Sequence, residues 1–136
     1  MVRLIMGVKG SGKTKQLIEM INNAAKDEPG NVVCIEANPT LTYDIHYNIR
    51  LVHAQEYNLN SYEVFRGFIS GLYAGNYDIC QVFIDNLFKI VGGEAGADTE
   101  AFLNWLDVFG EKNGIKFTVS ASGDPATATE GMKRFM

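Results

Sequence analysis

Gly7-Val8-Lys9-Gly10-Ser11-Gly12-Lys13-Thr14 is the stretch on which the reading of this chain turns. It fits the pattern G-x-x-x-x-G-K-S/T, in which a glycine-rich turn wraps a nucleotide's phosphates. The flanks agree with it. The apolar run Val2-Arg3-Leu4-Ile5-Met6 enters the turn as a buried strand would. Behind it, Leu17, Ile18, Met20, Ile21, Ala24 and Ala25 recur at helical spacing and predict a helix from about Lys13 to Lys26.

The residue types follow from the chemistry. Glycines 7, 10 and 12 permit backbone angles that side chains forbid, so successive N–H groups can converge on phosphate oxygens. A helix starting near Lys13 adds the positive end of its dipole. Nucleotide contacts are therefore expected from Gly7, Val8, Lys9, Gly10, Ser11, Gly12, Lys13 and Thr14. Lys13 would reach the β- and γ-phosphates, and the Thr14 hydroxyl would ligate Mg²⁺. An ordinary glycine-rich strand-to-helix turn is the alternative reading of the same residues.

The rest of the chain sets bounds. At 136 residues it is expected to form one domain, with 46% hydrophobic and 21% charged residues. The formal net charge is −4, the sequence pI is about 5.1, and no lysine- or arginine-rich block occurs. A strong nucleic-acid or anionic-membrane surface is not expected. No apolar run approaches the length of a bilayer span and no secretory segment precedes the first strand, so a cytoplasmic location is expected. Cys34 and Cys80 sit in apolar runs and read as core thiols in a reducing compartment. No zinc site is expected, since no Cys-x-x-Cys or His-x-x-x-His spacing occurs. His46 and His53 lack ligand partners in the sequence and read as surface or packing residues.

Asn31–Glu36 reads as a buried parallel strand, and a third strand is expected near 49–53 after a connecting loop over Thr40–Asn48. Asn60 and Glu63 have the form of a capping box before a helix carrying Val64, Phe65, Phe68, Ile69 and Leu72, with Arg66 as a solvated charge on the far side. Gly71 and Gly75 weaken and then end that helix. Cys80-Gln81-Val82-Phe83-Ile84-Asp85 reads as a strand ending in an aspartate that would hold Mg²⁺ or one of its waters. An aspartate capping the following turn is the alternative. Gly92–Ala97 reads as a surface loop, and a helix from about Asp98 follows, with Phe102, Trp105, Leu106 and Phe109 as its core stripe. The last strand is expected over Ile115–Ser120. Residues 1–124 form the expected nucleotide-binding domain, and 125–136 a tail that either docks as a short helix or stays flexible.

Strands alternating with helices predict an α/β three-layer sandwich, with a mostly parallel sheet of about five strands and helices on both faces. Ligands then bind at the carboxyl ends of the strands, where Gly7–Thr14, Glu36, Asp85 and Ser120 all fall.

The loop at residues 7–14 and the strand ending at Asp85 resemble those of the P-loop NTPase superfamily. A lone helix and strand after Asp85 is similar to the RecA-like branch, and the whole length resembles small, single-domain bacterial ATP-binding proteins of unassigned role. The resemblance implies that the strand at 115–120 inserts between the strands at 2–6 and 81–85, with Ser120 or Ser122 as a γ-phosphate sensor. It also implies Mg²⁺ held by Thr14 and Asp85, with Lys13 stabilising charge. Asn86 stands where many hydrolytic relatives carry a water-activating glutamate, and Glu36 could substitute for it. No Asn-Lys-x-Asp guanine-reading motif and no arginine-rich lid occur, so ATP is expected rather than GTP, and a small-metabolite kinase is not. Of the four arginines, Arg50 is the one expected near a strand end. Two functions stay open: Mg²⁺-dependent NTPase activity, or a nucleotide-binding regulatory or interaction module without significant hydrolysis. A homo-oligomer or a protein partner is compatible with either, because isolated RecA-like cores often need a neighbour's arginine.

Overall fold

The computed structural model describes residues 1–39 and 44–136. Its core is a five-stranded parallel sheet built from β1 (Val2–Gly7), β2 (Asn31–Glu36), β3 (Arg50–His53), β4 (Ile79–Asp85) and β5 (Lys116–Ser122), in the order β1-β5-β4-β2-β3. The last strand thus lies between β1 and β4, the insertion that the resemblance implies. Strands two through four are short and rich in β-branched or aromatic residues, as strands covered on both faces require. Part of the expected loop at 40–48, residues 40–43, lies outside the described residues.

Strand parity sorts the core into two clusters. Val32, Cys34 and Phe83 pack with Leu17 and Ile21 of α1 (Lys13–Asp27). Val33, Ile35, Val82, Ile84, Phe117 and Val119 belong to the other cluster, with Phe65 and Ile69 of α2 (Tyr62–Gly75). Two further helices contribute to the second cluster: α3 (Leu87–Val91), which lies in a stretch with no expected helix, and α4 (Ala97–Asn113). Phe102, Leu103 and Leu106 are the fully buried hydrophobic residues of α4, beside the buried Thr99. Trp105, the expected anchor, is partly exposed and stacks on Phe109 with ring centroids 4.8 Å apart. Among the described residues, no helix is long and apolar enough to cross a membrane.

Several local expectations are corrected. The cap of α2 is Ser61, not Asn60: Ser61 is extended, and its hydroxyl accepts from the Val64 amide at 3.1 Å. The Asn60 amide is drawn back instead to the Asn58 carbonyl at 2.8 Å. Arg66 is half-buried rather than solvated, and its Nε meets no acceptor among the described residues. Cys80 is not a core thiol. It sits half-exposed beside the Glu28 carboxylate, and burial followed by that charge raises its pKa. Arg50 begins β3, so it stands at the amino end of the sheet and not at the carboxyl rim.

The C-terminal tail docks. Its short helix α5 (Glu130–Lys133) carries Met132, which is fully buried, and Phe135 beyond it is buried as well. The Phe135 carbonyl accepts from the Leu4 amide at 2.7 Å, so the tail occupies the outer edge of β1. An exposed edge strand invites pairing with other chains, and covering it removes that hazard. Met132→Ala should therefore cost about 2–5 kcal/mol, read as a lower urea midpoint at an unchanged slope. An unchanged midpoint would mean that the tail contributes no packing.

Candidate functional site

Residues in register on neighbouring parallel strands point to the same face. Gly7 pairs with Ser122, Glu36 with Asp85, and Glu36 with His53. Asp85 follows the last paired residue of β4 and meets Ser120 of β5 through a hydrogen bond. The same parity puts Phe83 and Cys34 against α1. One row therefore crosses the five strands at their carboxyl ends, on the face that carries α1, with polar side chains on β2 to β5 and Gly7 on β1.

The loop at the head of α1 is built by glycines. A Cβ at Gly7 would come within 2.3 Å of the Ser11 Oγ, so a side chain there would have to displace the Ser11 hydroxyl. The Ser11 amide donates to the Val8 carbonyl at 3.1 Å, which closes the turn. Gly10 and Gly12 take φ of 87° and 86°, the left-handed region that glycine enters without penalty. The first helical bond runs from the Gln16 amide to the Gly12 carbonyl, and no side chain caps α1. The amides of Gly10, Gly12, Lys13 and Thr14 consequently donate to no acceptor among the described residues. Open space lies above Gly10 and Gly12. Lys13 is half-buried, with its stem near Gly7, and Thr14 is exposed; neither side chain has a hydrogen bond or ion pair among the described residues.

Across the rim, Ser120 is a bridge. Its hydroxyl donates to Asp85 Oδ1 at 2.9 Å and accepts from the Asn86 amide at 2.9 Å. It is fully buried with both functions used, so it fixes the Asp85 carboxylate and has no free donor for a ligand. Ser122 is exposed, two residues further along β5, and donates to the Asn86 Oδ1 at 3.4 Å. Asn86 takes φ 64°, ψ 62°. Asparagine is among the few side chains that adopt this left-handed geometry readily, which gives a backbone reason for its place after Asp85.

Glu36 is fully buried, and the Nδ1 of His53 lies 3.0 Å from its Oε1. His53 thus joins the row, whereas His46 is exposed with its amide bonded to Asn22. The signal for His53 was available in the chain: it ends a strand, as Glu36 and Asp85 do. Which strand lies beside it was not. Cys34 lies under the row, and burial pushes its thiol well above the ordinary value, with the charges of Asp85 and Glu36 adding to the effect. Such a thiol stays protonated and unreactive.

The row offers one fixed carboxylate, one free ammonium, a free hydroxyl and a set of unsatisfied amides around open space. These are donors for a polyanion with an oxygen ligand set for a hard cation beside them. Ser120→Ala would leave the Asn86 amide and one Asp85 oxygen without their partner. We expect a loss of about 1–3 kcal/mol in denaturant unfolding, and an unchanged stability would contradict the bridge. In comparisons with known proteins, the sequence matches no family model and no curated protein.

Proposed function

We propose that this chain binds a nucleoside triphosphate, ATP in the first instance, together with Mg²⁺, in a three-layer P-loop fold of the RecA-like type. One observation carries the reading: the amides of Gly10, Gly12, Lys13 and Thr14 and the Lys13 ammonium have no partner among the described residues, on the rim that also holds Asp85. An uncapped helix start with positive-φ glycines is a costly arrangement without an anion to receive its N–H groups. Loop residues Gly7–Thr14 would cradle the phosphates, and Lys13 would balance their charge. Thr14 and Asp85 would hold Mg²⁺, and the residues fit that role, since a hydroxyl and a carboxylate are hard oxygen ligands. The bound metal neutralises phosphate charge. Ser122, exposed at the end of β5, is the better placed of the two serines to touch a terminal phosphate, while Ser120 orients Asp85.

Slow hydrolysis of the γ-phosphate is compatible with this set, because phosphoryl transfer depends mainly on positioning and electrostatics. Glu36 would then orient water. A second reading, binding with little turnover, is favoured by two observations: Glu36 is fully buried and engaged by His53, and Asn86 cannot act as a base. In that reading the nucleotide orders a surface for a partner or a second copy.

Calorimetric titration with ATP should give saturable binding that weakens when Mg²⁺ is chelated. Lys13→Ala should weaken MgATP binding by about tenfold to a hundredfold, the loss of one charge-assisted contact. Asp85→Asn should reduce the affinity for MgATP to that for ATP alone. Parent protein that binds no nucleotide would overturn the proposal. Phosphate release then separates the two readings: turnover abolished in Glu36→Gln supports the enzyme, and absence of turnover in the parent supports the module.

A further inference from the structure

A cavity of about 430 Å³ opens at the amino end of the sheet, the end opposite the polar rim, between α2 and the starts of β2 and β3. That volume is in the range that accepts small organic ligands. Three independent features mark it.

The first is its floor. Gly71 and Gly75 lie one turn apart on α2 and both line the cavity. A Cβ at either would meet nothing within 4 Å, so no close packing demands glycine there. Neither residue has positive φ, so backbone geometry does not demand it either. Glycine inside a helix lowers its stability relative to alanine, and a local choice that opposes the fold is where a functional constraint is expected. What the two glycines preserve is open space.

The second is charge. Arg50 lines the cavity and has neither an ion pair nor a hydrogen bond among the described residues. No aspartate or glutamate lines the cavity. The carboxyl end of α2 adds roughly half a negative charge nearby, which is smaller than the full charge of the guanidinium. The third is the set of further donors. The Asn31 Oδ1 is taken by Asn76 at 2.8 Å, and the Asn48 Oδ1 lies 2.5 Å from the His46 Nδ1. Each of these asparagines therefore keeps its amide NH₂ group without an acceptor among the described residues. Leu72 supplies an apolar wall.

We infer that this cavity is a binding site for a small monocarboxylate with an apolar or aromatic body. The carboxylate would pair with the Arg50 fork, assisted by the Asn31 and Asn48 amides, and the apolar body would lie over Gly71 and Gly75 against Leu72. The site is independent of the nucleotide reading. It lies roughly five residues along β2 from Glu36, about 17 Å at the rise of an extended strand.

The test is an amide NMR titration of the ¹⁵N-labelled protein with phenylacetate and hexanoate, and with the neutral phenylacetamide as control. Saturable shifts are expected at Asn31, Asn48, Arg50, Gly71 and Gly75 for the carboxylates, with the amide binding at least about tenfold more weakly. Arg50→Ala, at an exposed position, should weaken carboxylate binding by about tenfold. Gly71→Leu should fill the cavity and abolish binding while the protein melts no lower than the parent. Failure of both carboxylates to saturate by about 10 mM, or equal binding by phenylacetamide or by Arg50→Ala, would overturn the inference. A Gly71→Leu protein that melts lower would show that the glycines serve packing instead, and would likewise count against it.

Discussion

Register in a parallel sheet is the constraint on which this molecule depends. Side chains alternate between faces, so a slip of one residue would exchange the polar row for the hydrophobic set beneath α2. With β4 in its observed register, Phe83 enters the α1 cluster and Asp85 emerges on the same face at the rim. With β2 in register beside it, Cys34 and Glu36 follow the same rule. The buried Val, Ile and Phe residues of each strand therefore do more than stabilise the fold. They fix which polar side chains stand together at its carboxyl edge.

Around that edge, rigidity and incompleteness are divided between two sides. The β4–β5 side is closed on itself through Ser120, which ties Asp85 to the Asn86 backbone. A carboxylate held this way loses little freedom on meeting a cation, and its geometry is set before any ligand arrives. The β1–α1 side is open, with glycine geometry and amides that lack acceptors among the described residues. The Glu36–His53 pair lies further along the same row, with its carboxylate fully buried and its imidazole partly exposed.

The two ends of the sheet have different characters. At the carboxyl end, polar side chains come from β2, β3, β4 and β5. At the amino end, a largely apolar cavity lies under a helix weakened by glycine and holds the Arg50 guanidinium, unpaired among the described residues. Strands β2 and β3 run through both ends, so the same two segments contribute Arg50 to one and Glu36 and His53 to the other. The docked tail, by contrast, covers the outer edge of β1.

Much of this was legible in the chain. The strands expected at 2–6, 31–36 and 80–85, the helix behind the Gly7–Thr14 loop and the glycine geometry of that loop follow from local patterns: apolar runs, helical spacing and glycines at fixed offsets. Those signals are short-range, so the sequence contains them completely. The α2 cap shows the limit of that reading, since Asn60 and Ser61 both suit an N-cap and only backbone geometry chose Ser61. The partners of Glu36, the bridging role of Ser120, the placement of Arg50 at the far end and the docking of Phe135 belong to another class. Each depends on which strands are neighbours and in what register, and contacts such as Ser120 with Asp85 span 35 residues. Local sequence determined most of the elements and the glycine geometry of the loop. Tertiary structure alone decided which side chains meet, because strand order and register arise from packing the whole core at once.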